Sequence, residues 1–237
     1  MVNAEQKGET IILHDVTEDE FLTKWDIYFD FGRDYEKIKS EFITDPTMKR
    51  AIDFCGGIRI LKQDPWETLI SFIISQNNNI PRIKLIINRL VEHFNRFPTP
   101  EDLLTDIAFA KTGFREKYLK SAAENVLSGK VILTETPKSA VNADPKSAAE
   151  NIVEKMPTES ARSELMKISG VGPKVAECTL LYGFGRLECF PRDVWINRAL
   201  AEFYPDGFPF ISHPFAGVAQ QFLFHHIRNR ELCVSLS

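Results

Sequence analysis

Leu165-Met166-Lys167-Ile168-Ser169-Gly170-Val171-Gly172-Pro173-Lys174-Val175-Ala176 is the stretch on which the fold of this 237-residue chain turns. Gly170 and Gly172 flank one apolar residue between two helical patterns. Glycine permits a tight turn and lets an anion approach the backbone. The first N–H groups of the helix that follows have no partner inside it, and its dipole favours negative charge there. Pro173 takes the first helical position, where its missing N–H costs nothing. A turn of this kind holds a phosphate without reading base sequence. A glycine pair alone would favour a plain helical corner. The apolar anchors Leu165, Ile168, Val171, Val175 and Ala176 favour two helices packed about a hairpin over residues 165–176.

Lys174 stands in the first turn of the second helix. A cation is disfavoured at that end of a helix, and partial burial is expected to disfavour it further. A neutral amine is what a Schiff-base nucleophile needs. A lysine that touches phosphate would suit the same turn, and position alone leaves both open. Asp193 lies nineteen residues on, within Phe190-Pro191-Arg192-Asp193-Val194-Trp195. It precedes another helix and is placed to cap it. A carboxylate also stabilises positive charge on a sugar that is losing its base. One residue can do both.

Outward from the hairpin the chain reads as mainly α. Thr17 and Glu20 form a capping pattern for a helix from Glu18 to Tyr28, and a second runs from Asp34 to Phe42. Asp64-Pro65-Trp66-Glu67 combines a cap, a proline and an acidic third position, and opens an apolar helix. That helix stops at Ser75-Gln76-Asn77-Asn78-Asn79, and Pro81 opens the next, through Phe94. Pro98-Thr99-Pro100-Glu101 starts a short helix, Gly113-Phe114-Arg115 is a loop, and the following helix closes at Gly129. Further helices are expected near 159–168, 173–184, 192–203 and 214–229. Ile11-Ile12-Leu13 predicts one strand. Residues 130–158, with Pro137, Pro145 and Pro157, predict a surface loop holding one helix. Within it Lys146-Ser147-Ala148-Ala149-Glu150-Asn151 repeats Lys120-Ser121-Ala122-Ala123-Glu124-Asn125, which is too little for a solenoid.

The net charge of -4 conceals an uneven distribution. Residues 1–45 hold twelve Asp/Glu against five Lys/Arg, so the remainder is net basic. Local positive charge gathers at Arg82–Arg96, Lys111–Lys120 and Arg186–Arg198, either ordinary solvated helix faces or the footprint of a phosphate backbone. The cysteines Cys55, Cys178, Cys189 and Cys233 show no zinc spacing and suit a reducing compartment as free thiols. No secretory leader or membrane span is evident, so an intracellular protein is expected: cytoplasm or nucleoid in a bacterium or archaeon, nucleus in a eukaryote.

Gly-Val-Gly-Pro-Lys followed by Pro-Arg-Asp-Val-Trp resembles the helix-hairpin-helix (HhH-GPD) superfamily of DNA glycosylases. Ser75-Gln76-Asn77-Asn78-Asn79-Ile80-Pro81-Arg82 resembles, within it, the Asn-rich loop of the 8-oxoguanine DNA glycosylase/AP lyases. The resemblance covers roughly residues 15–230. It implies an N-terminal segment, 1–60, made of a remnant sheet domain and helices packed on the core, and a glycosylase domain over 61–237. It implies base excision repair: release of 8-oxoguanine opposite cytosine, then strand cleavage by β-elimination. Lys174 would be the nucleophile and Asp193 the shared carboxylate. Asn77 would fill the gap left by the extruded base, Arg82 and Arg115 would contact the orphaned cytosine, and Phe114 would wedge the step. Gly170, Val171 and Gly172 would grip the backbone. Cys178 and Phe224 would sandwich the flipped base while Gln220 reads its edge; without the family, the first two are core residues. The partner is double-stranded DNA bearing an oxidised base, met by a monomer. No cofactor or metal is required, and a monovalent cation bound at the hairpin stays open.

Two departures accompany the resemblance. The family's N-terminal sheet is usually longer, and Trp195 replaces a residue that is His in some members. Two rivals share the hairpin. An endonuclease III-like glycosylase for oxidised pyrimidines usually carries a C-terminal four-cysteine iron–sulfur loop, whereas only Cys233 follows Cys189 here. A non-catalytic DNA-binding module would leave Lys174, Asp193, Asn77 and Arg115 without a task.

Overall fold

A computed structural model describes residues 2–8, 10–134 and 152–234, and the architecture is helical. The expected strand is one arm of a hairpin: Asn3–Lys7 pairs antiparallel with Thr10–His14, Ala4 opposite Leu13. The first arm is wholly exposed, so no hydrophobic alternation marks it in the sequence. The first helical run follows as Glu18–Glu20, a π-helical turn Phe21–Trp25, and Asp26–Phe29, capped by Thr17. Asp30, in the left-handed region, closes it.

The helix Pro46–Cys55 was not expected. Asp45 caps it through the N–H groups of Thr47 and Met48, and its buried residues Met48, Ala51 and Ile52 face the last helix, Ala216–Val234. Tyr204 reaches across to donate to Asp45 at 2.7 Å. The N-terminal and C-terminal parts therefore share one core, in which Phe42, Met48 and Phe222 are fully buried.

Asp64 caps Pro65–Ser75 through the Glu67 N–H, as its spacing predicts. This helix is the hub, packing on Ile80–Phe94, Glu116–Leu127 and Pro173–Cys178. Thr99 and Asp102 cap Pro100–Leu103 reciprocally. The ends of the 130–158 segment meet in a parallel bridge, Ile132 with Ile152; the helix expected inside it and the second Lys-Ser-Ala-Ala-Glu-Asn copy lie outside the described residues. Among the described residues no helix is long and apolar enough to cross a membrane.

Candidate active site and DNA-facing surface

The helix Thr158–Leu165 unwinds into Met166–Ile168, turns at Gly170-Val171-Gly172, and re-forms as Pro173–Cys178, continued by a π-helical turn to Gly183. Gly170 has φ +86, and a Cβ there would lie 2.3 Å from the Tyr118 ring. Only glycine fits both constraints. Gly172 caps the second helix and faces open space, so the outer side of the hairpin is free for an anion.

Lys174 projects from the first turn of that helix and is exposed, contrary to the partial burial expected. Its position at the hairpin lip leaves it on the surface, with Nζ 5.9 Å from the Phe72 ring. It lines a cleft of about 340 Å³ with Pro173, Glu177, Phe190 and Arg192. Among the described residues no carboxylate lies within ion-pair distance of it. Cys178, one turn further on, is buried, which pushes its thiol up to about 12; the thiol also feels the Lys174 ammonium and the Asp193 carboxylate. The Asp193 and Glu177 carboxylates act on it in the same direction as burial, and the Lys174 charge opposes them. Asp193 caps Val194–Phe203, its Oδ1 accepting the Ile196 N–H at 2.8 Å.

Glu177 was missed in the sequence. On the lysine's own helix, it accepts the Phe190 N–H at 2.7 Å and pairs with Arg162, tying the segment that leads into Asp193 to the helix bearing Lys174. A glutamate inside a short helix gives no sequence signal for such a distant partner. Behind the site, the Tyr182 ring stacks on Phe72 at 5.7 Å, and burial raises its phenol strongly. Tyr182 is bonded to Gln221, whose amide donates to buried Gln220 at 2.6 Å. Phe224 is half-buried one turn beyond Gln220, under the Arg228 guanidinium.

The second cluster gathers three segments. Asn77 is exposed at the tip of its loop with φ +46, in the left-handed region that asparagine tolerates. Asn79 caps Ile80–Phe94 through the Arg82 N–H, and the Arg82 side chain is exposed. The Gly113–Arg115 loop is a 3₁₀ turn; Phe114 stands out from it, 51% exposed, its ring edge-to-face with Tyr118. Arg115, expected as the second cytosine contact, is turned inward in this structure. It is 4% exposed and donates to the carbonyls of Gln76 (Nε, 2.8 Å), Asn77 (2.8 Å) and Thr112 (3.3 Å). Burial and nearby Arg82 lower its pKa. The backbone of the Asn-rich loop offers a set of acceptors that a planar guanidinium satisfies at once. Gln76, also missed, sends its own amide to the Gly170 carbonyl at 2.8 Å.

The fold and site define an all-helical core with a glycine hairpin that leaves a helix start open to an anion and an exposed lysine in the turn behind it. The comparisons with known proteins supply the family. The HhH-GPD superfamily base excision DNA repair model matches residues 70–206, and the 8-oxoguanine DNA glycosylase N-terminal domain model matches residues 1–69. The chain belongs to the HhH-GPD superfamily of base excision DNA repair proteins. It is similar to the N-glycosylase/DNA lyase of Saccharomyces cerevisiae, 36% identical over 159 residues, which are 60% of this chain and 40% of that one. The chain thus spans less than half the length of that relative. Among solved structures it is similar to MBOgg1 in complex with a low affinity DNA ligand (39% identity, TM-score 0.82). The Clostridium acetobutylicum 8-oxoguanine glycosylase/lyase bound to DNA with cytosine opposite 8-oxoG matches at 33% and 0.81. Each alignment covers 97% of this chain and 82% of the other. Residues 1–69 match the family's N-terminal domain model, and the sheet they hold among the described residues is the two-stranded hairpin alone, the short remnant expected.

Proposed function

We propose that this chain is a bifunctional DNA glycosylase and lyase that excises 8-oxoguanine opposite cytosine. The observation that carries the proposal is a glycine hairpin whose outer side is open to phosphate, with exposed Lys174 in the first turn of the helix it starts and Asp193 held at the start of the next. The Lys174 amine, unprotonated, attacks C1′ and forms the N–C1′ bond. The C1′–N9 bond breaks, its electron pair leaves with the base, and the base takes up a proton. Asp193 offsets the positive charge that develops on the sugar. The sugar ring opens to an imine, which acidifies the C2′ hydrogens. Loss of one as a proton expels the 3′ phosphate by breaking C3′–O3′. Water then hydrolyses the imine and returns the lysine.

The partner proposed is double-stranded DNA, bound by a monomer inside the cell. Cys178 and Phe224 flank the flipped base and Gln220 reads its edge. Asn77 fills the vacated space, Phe114 wedges the step, and exposed Arg82 meets the orphaned cytosine, with Arg115 holding the loop behind it. Arginine donors match the acceptors on the pairing edge of cytosine, and a good specific contact contributes roughly 1–3 kcal/mol. The chemistry draws on side chains alone and calls for no cofactor or metal.

Borohydride trapping on duplexes with 8-oxoguanine opposite each of the four bases tests the proposal. The parent should form an adduct, at least about tenfold faster opposite cytosine than opposite adenine. Lys174→Gln should bind lesion DNA and form none. An adduct that survives in Lys174→Gln moves the nucleophile elsewhere. A flat opposing-base profile, with trapping on oxidised pyrimidines instead, assigns the chain to the pyrimidine-lesion class.

A further inference from the structure

Three segments that face DNA are far apart in sequence: the Asn77 loop, the Phe114 turn and the Gly170 hairpin. Gln76 and Arg115 join them. The Gln76 side-chain amide donates to the Gly170 carbonyl at 2.8 Å, across 94 residues. The Gln76 main-chain carbonyl accepts from Arg115 Nε at 2.8 Å, so one residue is gripped from two sides. The circuit closes through Tyr118, whose ring lies against Gly170 and edge-to-face with Phe114. Gly170 belongs to the turn that grips the damaged strand's backbone, and Asn77 and Phe114 to the parts that enter the helix at the lesion.

We infer that Gln76 is a positioning residue that couples the hairpin's phosphate grip to the segments replacing the extruded base. The inference rests on the function proposed above. Extrusion costs a few kcal/mol, which the filler and wedge offset only while they are held in register with the strand being gripped. A hairpin seated on the backbone fixes the Gly170 carbonyl. The Gln76 amide transmits that position to the residue adjoining Asn77, and Arg115 passes it to Phe114. The amide touches no reacting atom, so its loss should impair extrusion and leave the lysine chemistry intact.

Gln76→Met keeps the length of the side chain and removes the donor; Gln76→His returns an N–H donor. Two activities of each variant are compared by single-turnover kinetics. One is excision of 8-oxoguanine from a duplex, which needs extrusion. The other is cleavage at a preformed abasic site, where no base must be unstacked. Gln76→Met should lose about tenfold or more in excision, the scale of one hydrogen bond, with abasic cleavage almost unchanged. Gln76→His should recover part of the loss. Equal falls in both activities, or no fall in excision, overturn the inference. A second measurement is independent of the lesion: fluorescence of 2-aminopurine placed opposite a tetrahydrofuran abasic analogue. Insertion of the loop unstacks that base and brightens it, and Gln76→Met should blunt the rise at saturating protein. The same rise in parent and variant, or none in the parent, refutes the coupling. A parent that brightens 2-aminopurine yet leaves 8-oxoguanine in place refutes the lesion assignment, and the variant's fluorescence still decides the coupling.

Discussion

Replacing Arg115 by Met keeps most of the side-chain volume and removes every donor. Three backbone carbonyls then lose their partner: Gln76, Asn77 and Thr112. A buried acceptor left unpaired costs about 1–3 kcal/mol. The Thr112 bond is the longest, at 3.3 Å, and contributes least. Water entering from the exposed side of the loop would satisfy part of the rest, so the set is put at about 3 kcal/mol rather than its full sum. For a chain of this size that lowers Tm by about 6–12 °C. Arg115→Lys should fall between, because one ammonium cannot serve three acceptors in a plane. The assay is a thermal melt paired with single-turnover excision opposite each of the four bases. Stability and cytosine preference should fall together, since Arg115 holds the backbone that carries Asn77. If Arg115→Met melts within about 1 °C of the parent while cytosine preference disappears, the guanidinium reads the base and does not brace the loop.

Other consequences are equally specific. Gly170→Ala meets the Tyr118 ring at 2.3 Å in a backbone with φ +86, and should cost about 3 kcal/mol or more, read from the urea midpoint; an unchanged midpoint contradicts the geometry. Asp193→Asn keeps an oxygen for the Ile196 N–H and loses the charge, so excision should fall at least about a hundredfold with little change in Tm. If only Tm changes, Asp193 is merely a cap. Cys178 is held at about 12 against an ordinary 9.0, so its thiol stays protonated in the folded chain while the unfolded chain ionises first. Its contribution is therefore complete below pH 9.0 and is lost as pH rises from there towards about 12. Cys178→Ala should show a shallower alkaline loss of stability than the parent; parallel curves would falsify the assignment.

The hairpin and most helix starts are legible in the sequence because their determinants are local. Asp64, Thr99 and Asp193 each bond an N–H three residues on, and the residue types that do this are few. Asp45-Pro46 carries the same signal as Asp64-Pro65, yet its helix is hard to see. Its buried stripe is only Met48, Ala51 and Ile52, narrow enough to be lost among polar neighbours. The first strand is illegible for a related reason: with both faces exposed, its pairing rests on the partner strand and the turn. In the site, residue types and spacing point to Lys174 and Asp193, and the helix face brings Cys178 in. They do not show that Arg115 is folded inward, because its acceptors are main-chain carbonyls up to 39 residues away that any sequence presents. Nor do they show Lys174 exposed at the lip of the hairpin, since burial depends on what the rest of the chain lays over it.

The cap and the proposed chemistry at Asp193 support each other. A carboxylate that stabilises a developing cation must be fixed beforehand, because reorienting it during the reaction would take back part of what it contributes. The Ile196 N–H fixes it by holding one oxygen at 2.8 Å. No carboxylate among the described residues, Asp193 included, forms an ion pair with Lys174. Direct contact between the two would stabilise the ammonium and occupy the carboxylate, disarming nucleophile and stabiliser together. The hydrogen bonds from Phe190 and Arg162 to Glu177 fasten the approach to Asp193 onto the helix that presents the lysine.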